Sequence, residues 1–136
     1  MIVPDAKVVF CGDLLWKDHF PNLIDATTES WISTLVTLGS DYASATFVPG
    51  HGGLANADDV AFFRQYFVEL RDAISAAQKA AKSGDALVDA VLPALRAKYG
   101  NWAFFDDYAR DDIRQTVEEL SGRKRLPAPA GVAAQQ

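Results

Sequence analysis

The chain has little of the chemistry on which disulfide scaffolds, nucleic-acid binders and membrane proteins depend. Cys11 is its single cysteine, which excludes an internal disulfide and favours a reducing compartment. Its net charge is −5, and the one basic cluster, at residues 123–125, is too short to indicate a nucleic acid or an anionic membrane. No apolar run approaches the ~20 residues that span a bilayer, and residues 1–5 lack the features of a signal peptide. These absences predict a cytoplasmic protein with no nucleic-acid partner and no membrane partner.

Strand-like and helix-like segments alternate along the 136 residues, which predicts an α/β fold with additional C-terminal helices. Predicted strands cover residues 7–12 and 45–48, an irregular segment covers 14–26, and predicted helices cover about 28–38, 57–82, 86–99 and 104–120. Residues 1–122 are expected to form one domain, and residues 123–136 a disordered tail rich in proline and alanine. The unbroken apolar run at residues 8–10 predicts a strand that is buried on both faces.

The boundaries of the helices follow from capping residues and breakers. Thr27 or Thr28 is expected to cap the first helix, and Gly39 to end it. Pro93 is unfavourable inside the third predicted helix, because proline has no backbone N–H to donate and its ring crowds the preceding turn. In the second helix, apolar residues three and four apart define a predicted core face, formed by Val60, Phe63, Phe67, Leu70, Ile74 and Ala77.

Two side chains that can bind a metal follow the two predicted strands. Asp13 follows Gly12 at the end of the first strand, and His51 lies in a Pro-Gly-His-Gly turn (residues 49–52) after the second. A strand end fixes the backbone while the following loop leaves the side chain accessible. Aspartate and histidine suit zinc, and also iron or manganese. Each residue alone is more often part of an ordinary turn than a metal ligand, so the prediction of a metal site depends on their joint occurrence.

The sequence around these two residues resembles the C-terminal half of a metallo-β-lactamase-fold hydrolase. The resemblance lies in Val-Val-Phe-Cys-Gly-Asp-Leu-Leu-Trp (residues 8–16), the Trp31 helix, and Thr-Phe-Val-Pro-Gly-His-Gly (residues 46–52), and it covers about the first 120 residues. It implies half of an αβ/βα sandwich, with Asp13 and His51 as ligands of a dinuclear zinc site. It also implies hydrolysis of a small-molecule amide, ester or thioester.

The ligand-rich opening motif of that family, His-x-His-x-Asp-His, has no counterpart in this sequence, which contains only His19 and His51 as histidines. A catalytic zinc normally has three protein ligands, so this chain alone is expected to be inactive. Three interpretations of the chain remain: a fragment of a longer enzyme, a chain completed by a partner or a second copy, or a non-catalytic binding or assembly domain. Because half a sandwich leaves a sheet face uncovered, a homodimer or a complementing N-terminal half is expected.

Several other residues have both a functional and a structural interpretation. His19 would overhang the site as a substrate contact or substitute ligand, or it is a solvated loop residue. Trp16 and Phe20 would line a substrate pocket or pack in the core, and Cys11 is expected to be a small buried hydrophobe. The acidic pairs at 58–59, 106–107 and 111–112 are interpreted as helix N-terminal charges or solvated faces.

Overall fold

The computed structural model describes residues 1–127, which form a mixed α/β fold with a three-stranded sheet and four α-helices. The elements are β1 (Ile2–Val3), a 3₁₀ turn (Pro4–Ala6), β2 (Val8–Trp16), α1 (Thr28–Asp41), β3 (Thr46–His51), α2 (Ala57–Lys79), α3 (Gly84–Tyr99) and α4 (Phe105–Leu120). The predicted α/β class is confirmed at this level. Residues 128–136, most of the predicted disordered tail, lie outside the described residues.

The sheet has the order β1-β2-β3, with β1 antiparallel and β3 parallel to β2. Phe10 pairs with Val48, and the register then shifts twice before Trp16 pairs with His51. Since β2 and β3 are parallel, their carboxyl ends meet at one edge of the sheet. This edge carries both predicted metal ligands.

Both long strands extend beyond their predicted ends. The predicted irregular segment began at Leu14, but β2 continues to Trp16, and the predicted turn at residues 49–52 is strand as far as His51. The two strands keep pairing through bulged positions, which sequence patterns do not reveal. Pro49 is tolerated because β3 is an edge strand of the sheet, where a missing N–H removes no bond from a central ladder.

The predicted helices are present, with some changes at their ends. The Thr27 side chain caps α1 by accepting a hydrogen bond from Ser30 N, as expected. Gly39 does not end α1, which continues to Asp41. Asn56 caps α2 in a reciprocal capping box. Every residue of the predicted α2 core face is buried, and Tyr66 joins it.

The hydrophobic core lies on one face of the sheet, between the strands and the helices. Val9, Cys11 and Phe47 point into this core, whereas Phe10 is 42% exposed on the opposite face. The expectation that this strand would be buried on both faces is therefore wrong. Helices α1 and α2 both contact β2, and no element within residues 1–127 covers the other face. The apolar residues at positions 8 and 10 thus face outward.

The two C-terminal helices complete the described chain. Helix α3 spans residues 84–99 with Pro93 inside it, so the proline does not break the helix. The first residues after α4 contact the body of the fold, because Lys124 Nζ donates to the carbonyls of Leu23 and Ala26. Among the helices of residues 1–127, none combines the length and apolarity needed to cross a bilayer.

Candidate metal centre

Asp13 and His51 lie side by side at the carboxyl edge of the sheet. His51 Nε2 is 3.5 Å from Asp13 Oδ1. The parallel pairing of β2 and β3 brings the two residues to this edge, and Gly50 leaves the space that the Asp13 side chain occupies. The Asp13 side chain is 76% exposed and that of His51 38% exposed, so both remain accessible from solvent.

The separation of these two donor atoms fits a shared metal ion. Two ligands that each bind one zinc at roughly 2.0–2.2 Å with a tetrahedral angle lie about 3.3–3.6 Å apart. The observed 3.5 Å falls within this range and is long for a hydrogen bond. Within residues 1–127 there is, however, no set of three or more His, Cys, Asp or Glu side chains grouped closely enough to hold an ion. The described residues therefore provide one pair of candidate ligands.

Trp16 contacts both members of this pair. Its indole Nε1 donates to the backbone carbonyl of Asp13 at 3.0 Å. Its ring lies against the His51 imidazole, with centroids 4.0 Å apart. The predicted site residue Trp16 therefore supports the His51 imidazole.

His19 also approaches the pair. Its ring centroid lies 5.9 Å from that of His51, and its Nδ1 is 2.7 Å from the Lys17 carbonyl oxygen. The backbone around His19 forms a bridge to Ala103, with Phe20 N donating to Ala103 O at 2.7 Å. The structure thus brings the predicted loop residue His19 to the site.

Phe104 is a site residue that the sequence analysis missed. Its ring faces His51 edge-on, with centroids 6.2 Å apart, and lies 5.6 Å from the His19 ring. Its backbone has φ of +67°, a left-handed conformation that is strained for a residue with a Cβ. Strained residues of this kind cluster at functional sites. No sequence signal marks this residue, because its conformation depends on the turn between α3 and α4.

An open cleft of about 770 Å³ extends from Asp13 and His51 to the first turns of α1. Its walls combine aromatic and aliphatic side chains with hydroxyl and amide groups, and include Leu14, Trp16, Asn22, Ile24, Ser30, Trp31, Thr34, Phe104 and Tyr108. The only charged side chains that line it within residues 1–127 are Asp13 and Asp25. The cleft is therefore both apolar and acidic.

Two carboxylates of α4 anchor the segment that forms the far wall of this cleft. Glu119 accepts hydrogen bonds from Thr28 N and Oγ1, at 2.8 and 3.0 Å, and pairs with Arg71. Asp112 accepts from Leu23 N and from the Tyr66 hydroxyl, both at 2.9 Å. These contacts hold residues 23–28 against the helices.

Of the acidic pair at residues 111–112, Asp111 is exposed as predicted, but Asp112 contradicts the interpretation as a solvated face or as a helix N-terminal charge. Its side chain is buried, with 1% of its surface exposed, in the middle of α4. Burial raises the pKa of the Asp112 carboxyl to about 8. The acidic pairs at 58–59 and 106–107 do lie in the first turns of α2 and α4, as predicted.

The remaining candidate residues belong to the core. Cys11 is buried, as expected, and burial raises the pKa of its thiol, which disfavours the reactive thiolate. Phe20 is fully buried against Tyr66 and Phe105, so it packs in the core and does not line the cleft.

A comparison of the chain with protein-family models found no match, and neither did a search of the curated proteins. Function is therefore inferred from the residues of the candidate metal centre and the cleft.

Proposed function

We propose that this chain is the C-terminal half of a metallo-β-lactamase-fold hydrolase that acts on a small-molecule amide, ester or thioester. The observation that carries the proposal is the Asp13–His51 pair, whose donor atoms are 3.5 Å apart at the ends of two parallel strands. The family resemblance assigns these same two residues to the metal site. Their proximity in the fold supports that assignment independently of the motif.

Zinc is the proposed metal, with iron or manganese as alternatives for the same ligand types. When bound, it would supply Lewis acidity and a water-derived nucleophile at neutral pH. Asp13 and His51 would hold the metal, and Trp16 would keep the His51 ring in place through its stacking contact. The aromatic walls of the cleft would bind the apolar part of a substrate beside the site.

The ligands that the resemblance requires beyond this pair would come from a second polypeptide segment, either a complementing N-terminal half or a second copy of the chain. The open sheet face supports association at this surface. Phe10 is exposed there, flanked by the partly buried Val8 and Val48, whereas the opposite face is covered by helices. An apolar sheet face of this kind favours burial against another layer.

The metal assignment can be tested by zinc titration of the purified chain against a chromophoric chelator. Asp13→Asn and His51→Gln are each expected to weaken zinc binding at least tenfold. Asp25→Asn is the matched control, because Asp25 lines the same cleft but is not one of the paired ligands. Equal zinc affinity in all four proteins would overturn the assignment.

The association can be tested by sedimentation velocity at tens of micromolar. We expect a dimer, which Phe10→Asp should dissociate. Val68→Asp replaces an equally exposed apolar residue on α2 and should leave the dimer intact. A monomer in the unmodified chain would exclude self-association and leave a complementing half as the partner.

A second candidate function is a non-catalytic binding or assembly domain. The apolar cleft of about 770 Å³ favours it, because such a cleft can bind a small molecule without any metal. The zinc titration with the Asp13 and His51 variants distinguishes the two functions. A binding domain would show no zinc affinity that depends on Asp13 or His51.

A further inference from the structure

We propose that the cleft is a binding site for an organic ammonium ion with an apolar body, and that Asp25 is the counter-ion of the ammonium group. The proposal goes beyond the metal centre, since it assigns a ligand to the far wall of the cleft. It rests on the proposed function in one respect only. If the chain is part of a hydrolase, the substrate is inferred to be a positively charged amide, ester or thioester.

The charge that lines the cleft is negative. Asp13 and Asp25 line it, and within residues 1–127 no lysine or arginine does. In the same part of the chain neither carboxylate forms an ion pair with a lysine or arginine, although many other carboxylates do. A cleft lined by one sign of charge attracts ligands of the opposite sign. This lining therefore favours a cation over a carboxylate or a phosphate.

Asp25 is the carboxylate that remains for an ammonium group. Asp13 lies 3.5 Å from His51 Nε2 and would be taken up by the metal. Asp25 is exposed in the segment of residues 23–28. Lys124 is close enough to interact with Asp25, but its Nζ donates to two backbone carbonyls of that segment and does not line the cleft. Lys124 thus weakens the negative potential at Asp25 without occupying the cleft.

Aromatic side chains form a continuous wall that leads to Asp25. The ring centroids of Trp16 and Phe104 are 6.5 Å apart, and those of Phe104 and Tyr108 are 5.9 Å apart. All three side chains line the cleft. Tyr108 lies one helical turn before Asp112, whose carboxylate holds the segment that carries Asp25. The wall therefore extends from the metal centre to the proposed counter-ion.

The rings of this wall have no cationic partner among residues 1–127. Lys98 lies over the rings of Phe62 and Tyr99, outside the cleft. Arg96 lies over Phe105, also outside it. An ammonium group over the face of a tryptophan, tyrosine or phenylalanine is attracted by the quadrupole of the ring. The aromatic wall and the carboxylate thus attract the same type of ligand.

The test uses the metal-free full chain, labelled with ¹⁵N, and three probes of similar shape: phenethylammonium, phenethyl alcohol and phenylacetate. Trp16 and Trp31 line the cleft, whereas Trp102 is buried in the core, so their indole N–H signals distinguish binding in the cleft from binding elsewhere. We expect phenethylammonium to shift the signals of Trp16 and Trp31 but not that of Trp102. Its affinity should exceed that of the alcohol about fivefold, and phenylacetate should bind more weakly than the alcohol.

Variants separate the contributions of charge and of the aromatic wall. Asp25→Asn should bring the affinity for phenethylammonium to within about twofold of that for the alcohol. Asp72→Asn is the matched control, because Asp72 is exposed on α2 and does not line the cleft. Phe104→Leu keeps an apolar side chain but removes the ring, so it should weaken binding of the cation more than binding of the alcohol. Phe62→Leu, outside the cleft, should change neither affinity.

Equal affinity for the cation and the alcohol, tighter binding of phenylacetate, or no shift of the Trp16 and Trp31 signals at millimolar probe would each overturn the inference. An Asp25→Asn variant that keeps the full preference for the cation would also overturn it. These outcomes leave the proposed function standing, because they are measured without zinc. Conversely, a preference for the cation in a chain without zinc affinity would support the inference and overturn only the metal assignment.

Discussion

Gly50 and Asp13 lie so close together that any side chain at position 50 would displace the carboxylate. A Cβ built on Gly50 would stand 2.2 Å from Asp13 Oδ1, and 2.8 Å and 2.9 Å from Gly12 C and Asp13 N. Two of these atoms belong to the backbone of β2 and cannot move independently of the strand. The glycine before His51 is therefore required for the observed position of the Asp13 side chain on the neighbouring strand.

Gly50→Ala should destabilise the fold and weaken zinc binding together. The added methyl group forces β2 and β3 apart, and overpacking of this kind costs about 1–3 kcal/mol. Denaturant unfolding and the chelator competition measure the two effects. Gly53→Ala is the control, because a Cβ at Gly53 meets no atom within 4 Å. If the two alanine variants behave alike in both measurements, Gly50 does not position Asp13.

Phe104→Gly should be more stable than Phe104→Ala by about 1 kcal/mol, although it removes more atoms. Both variants lose the ring beside His51, but only alanine keeps the strain of the left-handed backbone, which costs about 1–2 kcal/mol. Denaturant unfolding measures the difference.

The matched control for Phe104 is Phe62, an equally exposed phenylalanine inside helix α2. At that position the order should reverse, with glycine less stable than alanine by about 1 kcal/mol. If alanine is more stable than glycine at position 104 as well as at position 62, Phe104 carries no backbone strain in solution.

Much of the fold was predictable because local signals agreed with the tertiary structure. Thr27 and Asn56 are capping residues that cap their helices, and the three-and-four spacing in α2 identified its buried face. The extent of β2 and β3 was not predictable. Their pairing continues across Gly12 and Pro49, residues that usually interrupt strands, and such long-range pairing leaves no local pattern.

The arrangement of the candidate site was predictable in part for the same reason. Asp13 and His51 follow apolar strands, so parallel pairing was sufficient to bring them together. Phe104 reaches them through the turn between α3 and α4, which no short-range rule connects to β2. Asp112 was misinterpreted because an acidic residue in a run of charges is usually solvated, and its partners Leu23 and Tyr66 are distant in sequence.

Glu119→Ala should destabilise the chain by about 2 kcal/mol, because it leaves the N–H of the buried Thr28 unpaired. The Glu119 carboxylate accepts from Thr28 N and Glu29 N at the start of α1, where a negative charge also complements the helix dipole. Denaturant unfolding measures the loss. Glu118→Ala is the control, since Glu118 pairs with Arg123 at the surface and should change stability little. Equal effects of the two substitutions would show that the Glu119 contacts do not stabilise α1.

Asp112→Asn should remove a pH dependence of stability that the unmodified chain carries. Burial raises the pKa of Asp112 from 3.8 to about 8, so between these values the folded state keeps a proton that the unfolded state releases. The unfolded state then binds fewer protons, and the free energy of unfolding falls as pH rises from about 4 to about 8, by at most about 1.4 kcal/mol per pH unit. Above pH 8 both states are ionised, and this contribution no longer changes.

Asparagine does not ionise, but it can still accept from Leu23 N and bond to the Tyr66 hydroxyl. The free energy of unfolding of Asp112→Asn relative to the unmodified chain should therefore increase steadily from pH 4 to pH 8. Urea unfolding at intervals of one pH unit measures this difference. Asp111→Asn makes the same substitution on the exposed side of the same turn of α4 and controls for the loss of an ionisable side chain. Each variant shares every other titrating group with the unmodified chain. If the stability difference between Asp112→Asn and the unmodified chain stays constant with pH, Asp112 is ionised in the folded protein.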